Sequence, residues 1–178
     1  MKTRLVTGMM VLGLLASAGA APAQDRRDLQ VGDEIVRQVN TYPQFTIFDD
    51  VNARIEQGVV TLTGKVTMPH KKNEIGKRVA GIDGVREVQN DIGVLPVSIY
   101  DNQLRQRIAR AIYGNPSFWS YAAMARPPIH IIVEGGRVRL TGVVNSNVER
   151  MLARSLATGF GELSVESELR TDAEVLNQ

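Results

Sequence analysis

The chain has 178 residues, of which 21 are basic and 19 acidic, with two histidines and no cysteine. The lack of cysteine excludes disulfide bonds and thiolate chemistry, so stability must come from apolar burial. The balanced charge excludes the overall basic field of a nucleic-acid-binding protein, and the length allows one ordinary domain or two small ones.

Residues 1–23 have the three parts of a secretory signal peptide. Lys2 and Arg4 precede an apolar run from Leu5 to Leu15, and small residues lead up to Ala23. An uncleaved membrane anchor is the alternative, but the run is shorter than the roughly 20 apolar residues that a spanning helix needs. No cysteine follows that could carry a lipid. We therefore expect cleavage near Ala23 and a periplasmic protein that is not a lipoprotein.

The rest of the chain is built from two copies of one unit. The sequence VNARIEQGVVTLTG at residues 51–64 returns as IHIIVEGGRVRLTG at residues 129–142, offset by 78 positions. We place the units at residues 28–95 and 101–170, joined by a linker at 96–100. Because the linker is short and half apolar, we expect the units to pack against each other.

Each unit begins with an amphipathic helix and continues with a β-hairpin. Asp28 and Asp101 are the predicted N-caps, and both helices end before a proline. The hairpin turns fall at glycines, and a further glycine closes each second strand as a bend or a close backbone approach. A structural role is predicted for Gly58, Gly64, Gly84, Gly136 and Gly142.

A second helix and a last strand complete each unit. Pro69 lies in the first turn of this helix in unit one, and Ser146 or Asn147 caps its counterpart, which presents Val148, Leu152 and Leu156 to the core. The order α-β-β-α-β predicts an α+β fold. Each unit is then a three-stranded mixed sheet with two helices on one face.

An insertion distinguishes unit two. Ten residues separate Phe118 from Ile129, where unit one has five between Phe45 and Val51. The insertion and the preceding helix carry the side chains that we select as a membrane or partner surface: Arg105, Arg107, Arg110, Trp119, Tyr121, Met124 and Arg126. Trp and Tyr suit a membrane interface, and arginines attract lipid phosphates. The alternative is that Phe118, Trp119 and Met124 fill the gap between the units.

The charge is unevenly divided between the two units. Residues 28–95 carry eight basic and ten acidic side chains, and residues 101–170 carry nine basic and six acidic ones. Removing the leader also removes Lys2 and Arg4, which leaves equal numbers of basic and acidic residues. An anionic partner is therefore expected at unit two.

The residues offer little for catalysis. His70 and His130 are not at equivalent positions, and each is interpreted as a solvated surface histidine. Asp49 and Asp50 are interpreted as turn residues and not as calcium ligands. Residues 81–84 match a GxxG sequence, but they end a helix before a strand, unlike the nucleic-acid clamp. We expect no enzyme activity, no cofactor, no metal and no nucleic acid.

The segments GVVTLTGKV at 58–66 and GVREVQNDI at 84–92 resemble the BON domain, and the repeat resembles its exported tandem form. The resemblance implies a periplasmic protein without enzymatic activity that binds phospholipid membranes and supports envelope integrity under osmotic stress. It also leaves open a chaperone-like protein that contacts exported clients. A third possibility, which the sheet edges and the short linker permit, is a structural subunit that assembles into a weak homo-oligomer.

Overall fold

The computed structural model describes residues 21–176, with side chains from residue 27, and shows two α+β units in tandem. Apart from residues 21–23, the predicted leader lies outside the described residues. Unit one consists of α1 (Ala21–Asn40), β1 (Asp50–Glu56), β2 (Val59–Val66), α2 (Pro69–Ala80), β3 (Glu87–Asn90) and β4 (Gly93–Val94). Strand β1 is antiparallel to the central strand β2, and β3 and β4 are parallel to it.

Unit two repeats this order with a short helical addition. It consists of α3 (Ile99–Tyr113), a 3-10 turn (Pro116–Phe118), α4 (Trp119–Ala122), β5 (Ile129–Glu134), β6 (Arg137–Val144), α5 (Asn147–Leu156), β7 (Ser164–Ser167), β8 (Arg170–Thr171) and α6 (Asp172–Leu176). The sheet order is β5-β6-β7, with β8 also paired to β6. The predicted α+β class and the repeat are therefore confirmed, although the last strand of each sheet is interrupted.

The helices begin differently from the prediction. Helix α1 already includes Asp28, and α3 is capped by Ser98, whose side chain accepts from the backbone N–H of Asp101. The two aspartates instead hold the hairpin turns: Asp101 accepts from the N–H groups of Gly135 and Gly136 at 2.9 and 2.8 Å. Asp28 likewise accepts from Gln57 N at 3.1 Å. The repeated acidic residue thus joins helix to hairpin.

Each unit has its own apolar core between the helices and the sheet. In unit one α1 contributes Val31, Ile35 and Val39, which meet β2 and the inner side of α2. The core of unit two is built likewise and adds Phe118, which is fully buried. In α5 the predicted inner residue Val148 is wrong, because it is 75% exposed while Ala153 and Ala157 are fully buried.

The two units contact each other directly. The guanidinium of Arg126 donates to the carbonyls of Phe45 and Tyr42 at 2.7 and 3.1 Å. Farther along, Lys65 of unit one lies 3.0 Å from the Glu134 carboxylate of unit two. These bonds fit the expectation that the short linker brings the units together.

Replacing Arg126 with lysine should weaken this junction, because an ammonium group cannot reach both carbonyls in the fixed geometry of a guanidinium group. We expect a loss of about 1 to 2 kcal/mol from the free energy of unfolding, measured in urea. Arg107→Lys, a change on the exposed side of α3, is the control and should change it little. Equal stability of both variants and the wild type would show that the Arg126 bonds do not stabilise the protein.

Candidate functional site

Helices α4 and α5 of unit two carry three large exposed apolar side chains. Trp119 of α4 is 76% exposed, and Val148 and Met151 of α5 are 75% and 73% exposed. Arg107 and Arg110 of α3 and Arg154 of α5 are also exposed. We call these six residues the helix face of unit two. Helix α3 contacts both α4 and α5, so the three helices are neighbours in unit two.

The insertion is fixed against this surface by a buried tyrosine. Pro116 starts a 3-10 turn that places Phe118 in the core and Trp119 outside. The hydroxyl of Tyr121 donates to Glu149 at 2.6 Å and accepts from Asn145 N at 2.8 Å. Burial and the Glu149 carboxylate raise the pKa of Tyr121 to about 12. The bond ties α4 to the first turn of α5, which bears Val148.

Three of the residues predicted for the surface have internal partners instead. Arg105 is 4% exposed, and its Nη2 donates to Val133 O at 2.5 Å, so it belongs to the interior of unit two. Tyr121 is 3% exposed and is committed to Glu149. Arg126 binds the carbonyls of unit one. Arg107, Arg110, Trp119 and Met124 are exposed, and Arg126 is also exposed although it holds the two carbonyls.

The exposed arginines of the helix face have no carboxylate partner within residues 21–176. The ion pairs in this part of the chain involve other basic residues, so Arg107, Arg110 and Arg154 carry uncompensated positive charge. The only close contact of these guanidinium groups in the same part of the chain is between Arg110 Nε and Gln106 O, at 3.2 Å. The face therefore combines apolar side chains with cations.

Unit one has no such surface at the equivalent positions. At the offset of 78 residues, Val148 corresponds to His70 and Met151 to Asn73, and both of these polar side chains are exposed on α2. The same fold thus tolerates polar residues at both positions, and packing does not require Val148 or Met151. Sequence reasoning missed them because it placed Val148 inside, although the comparison of the two copies contained the signal.

The histidines and acidic residues form no catalytic group in the described part of the chain. His70 is exposed and contacts Gln44, whereas His130 is half-buried between the units, 2.6 Å from Asp49 O, and its ring centroid is 5.5 Å from that of Phe45. The prediction that His130 is solvated is therefore wrong. Across residues 21–176 no cluster of three or more His, Cys, Asp or Glu side chains is arranged to hold a metal ion.

Comparisons with known proteins give one strong match. A family model of the BON domain matches residues 28–96 and again residues 100–171. No curated protein matches the chain. None of the helices within residues 21–176 is long and apolar enough to cross a membrane.

Two solved structures are similar at low scores. Structural studies of CdsD, a structural protein of the type III secretion system of Chlamydia trachomatis, give a match with 12% identity and a TM-score of 0.29, covering 83% of this chain and 96% of that one. The C-terminal domain of CdsD matches with 13% identity and a TM-score of 0.27, covering 77% and 94%. At these scores the likeness says nothing further about this chain.

Proposed function

The chain belongs to the BON family as a tandem BON-domain protein, and we propose that it docks reversibly on anionic phospholipid surfaces through the helix face of unit two. BON domains are non-enzymatic binding modules that are generally linked to phospholipid binding and envelope function, and BON proteins are typically exported. On this proposal the protein acts in the periplasm and supports envelope integrity under osmotic stress. The leader-like residues 1–23 support export.

The exposure of Trp119, Val148 and Met151 is the observation that carries this proposal. Exposed apolar side chains rimmed by polar residues mark surfaces that bind a partner or a membrane. A tryptophan places its ring at the depth of the lipid headgroups, while valine and methionine favour the upper acyl region. The helix face can therefore insert shallowly without any unfolding of unit two.

The arginines of the helix face supply the preference for anionic lipid. Each basic residue near such a surface contributes about 1 kcal/mol, and salt screens the attraction. Unit two carries nine basic and six acidic side chains over residues 101–170, so its overall charge favours the same orientation. Unit one, with more acidic than basic residues, is expected to face away from the lipid.

The first test is the fluorescence of Trp119, the only tryptophan of the chain, titrated with vesicles. Because its side chain is 76% exposed, its emission should be red-shifted in buffer and should move to shorter wavelength with anionic vesicles. Zwitterionic vesicles and high salt should weaken the response. No shift with anionic vesicles at low salt would refute lipid docking at this face.

The second test replaces the apolar residues of α5 with those of unit one. Val148→His with Met151→Asn should weaken binding to anionic vesicles about tenfold, because the burial of two apolar side chains in lipid is lost. The control is Val97→Asn, since Val97 is 99% exposed but lies outside the helix face. Cosedimentation with vesicles measures both variants. Equal loss in both, or no loss in either, would contradict the proposed surface.

A further inference from the structure

A groove of about 1000 Å³ lies between the two units. One wall is formed by α1 and β1 of unit one, and the other includes the end of the insertion, Arg126 to Pro128, and the last residues of β6 in unit two. We call it the inter-unit groove. Its volume is in the range of pockets that hold small organic ligands. It shares no residue with the helix face of unit two.

The inter-unit groove is elongated because α1 and β1 run in opposite directions along it. Asp28 of α1 accepts from the N–H of Gln57, just after β1, and Gly32 lies opposite Ile55. The lining residues of α1 extend from Gly32 to Asn40, which is about 12 Å at the rise of an α-helix. One end of the groove is therefore near Gly32 and Ile55, and the other is near Asn40 and the start of β1.

The end near Gly32 is apolar. The residues of α1 and β1 that line it there are Gly32, Ile35, Val36, Ala53 and Ile55. Val36 is 60% exposed, so a hydrocarbon chain along this wall would cover apolar surface that α1 presents to water. A Cβ on Gly32 would lie 3.5 Å from Ile55 Cδ1, which is ordinary contact. The space beside the glycine is therefore not imposed by packing.

The opposite end contains a buried hydroxyl group without a partner. Thr141 of β6 lines the groove and is 7% exposed, and its Oγ1 makes no hydrogen bond to the part of the chain that the structure describes. His130 pairs with Thr141 across β5 and β6, and its Nδ1 is 2.6 Å from Asp49 O, so this end lies beside the first residues of β1. An unpaired buried polar atom costs free energy, which a ligand that binds Thr141 would remove.

The polar end also has more guanidinium groups than carboxylates. Arg126 and Arg170 line the groove together with Asp50 and Glu168. Glu168 is already paired with Arg139 at 3.8 Å. Arg126 has no carboxylate partner among residues 21–176, since its two Nη atoms donate to backbone carbonyls. A ligand with a negative charge at this end would therefore be favoured.

We propose that the inter-unit groove binds a fatty acid, with its hydrocarbon chain along α1 and its carboxylate at Thr141 and Arg126. The hydroxyl of Thr141 donates to the carboxylate, and Arg126 supplies the opposite charge. The chain packs against Val36 and Ile55 and is removed from water. The site is separate from the helix face of unit two, so fatty-acid binding and membrane docking can each fail without the other.

The first test measures the binding of dodecanoate, below its micelle concentration, by isothermal titration calorimetry. Thr141→Val keeps the branched shape of the side chain and removes a hydroxyl that has no partner in the protein. It should weaken binding about tenfold without lowering the free energy of unfolding, because only the bond to the ligand is lost. The control is Thr63→Val, the equivalent position in unit one, which is exposed and lies outside the groove.

A second variant fills the apolar end of the groove. Gly32→Leu places a side chain where the end of the hydrocarbon chain would lie, and it should weaken dodecanoate binding at least about tenfold. The helix itself should tolerate the change, since leucine favours a helix more than glycine does. Gln30→Leu adds the same side chain at an exposed position of α1 outside the groove, and it should bind dodecanoate as the wild type does.

The identity of the ligand is tested with other molecules that have the same chain. Dodecanol, which lacks the carboxylate, should bind at least about tenfold more weakly than dodecanoate. Equal binding of dodecanol, or unchanged dodecanoate binding in both Thr141→Val and Gly32→Leu, would overturn the proposal. Binding of lauroyl lysophosphatidylcholine as tight as that of dodecanoate would overturn it in favour of a phospholipid-derived ligand.

Discussion

Replacing Gly142 with alanine should lower the free energy of unfolding by about 3 kcal/mol or more. Gly142 has φ +113° at the end of the hairpin, and a Cβ there would lie 1.8 Å from the carbonyl oxygen of Pro128. The backbone of Pro128, directly before the paired strand β5, cannot move away as a flexible side chain can, so the variant is strained by conformation and by overlap together. Urea unfolding followed by circular dichroism measures the loss.

Gly135 provides the matched control in the same hairpin. It also has a positive φ, +58°, but no atom lies within 4 Å of the position that a Cβ would take. Gly135→Ala should therefore cost only about 1 kcal/mol, from the backbone conformation alone. If the two variants were equally stable, the close approach of Pro128 to Gly142 would not be the reason why glycine is needed.

The hairpin glycines also show which features of the fold can be predicted from the sequence alone. Gly64 and Gly142 are visible as the last residues of the repeated segment, and the structure gives both a positive φ and a backbone oxygen at the place of a Cβ. Turn chemistry is local, so a repeated glycine next to a strand is enough to predict a close approach. The α+β order of the units follows from periodicity for the same reason.

The roles of Asp101 and Arg105 could not be predicted in this way. Each partner lies across the unit: Asp101 accepts from Gly135 and Gly136, and Arg105 donates to Val133. An aspartate near a helix start is usually a cap, and an arginine beside it is usually solvated, so local rules give the wrong answer for both. The side chain that faces the hairpin depends on how helix and sheet pack, which periodicity does not specify.

The position of Val148 was missed for a similar reason. An apolar stripe at residues 148, 152 and 156 fits helical spacing, but α5 buries Ala153 and Ala157 and leaves Val148 75% exposed. The equivalent helix α2 has the same orientation without an insertion, because Ile75 and Val79 are buried there and His70 is exposed. The outward position of Val148 is therefore common to the fold of both units, and the insertion adds the exposed Trp119.

Asp49 and Lys71 form a buried ion pair whose loss should be among the largest effects in unit one. Their Oδ2 and Nζ lie 2.6 Å apart, with 0% and 6% of the side chains exposed. Asp49 also accepts from the N–H and hydroxyl of both Thr46 and Thr67, at 2.8 Å in each case. One carboxylate therefore joins the loop before β1, the end of β2 and helix α2.

Replacing Asp49 with alanine should lower the free energy of unfolding by about 3 to 5 kcal/mol at neutral pH, since a buried ammonium group is left without its partner. Lys71→Met in the same protein should recover part of this loss, because the unpaired charge is then removed as well. Urea unfolding of the single and double variants measures both effects. If the double variant were less stable than Asp49→Ala, the penalty would not come from the stranded charge.

The contribution of Asp49 should also depend on pH in a defined direction. Burial alone would raise the pKa of this carboxyl, but the hydrogen bonds from Lys71, Thr67 and Thr46 outweigh burial and lower the pKa below its usual value. A lowered pKa in the folded state stabilises the protein above the unfolded pKa of about 3.9, and the stabilisation is lost as the pH falls through the folded value. The difference in stability between wild type and Asp49→Ala should therefore be constant from pH 7 to about 5 and shrink below about pH 4. A difference that stays constant into acid would mean that the charge of Asp49 is not what stabilises the site, and that its hydrogen bonds to the threonines suffice without ionisation.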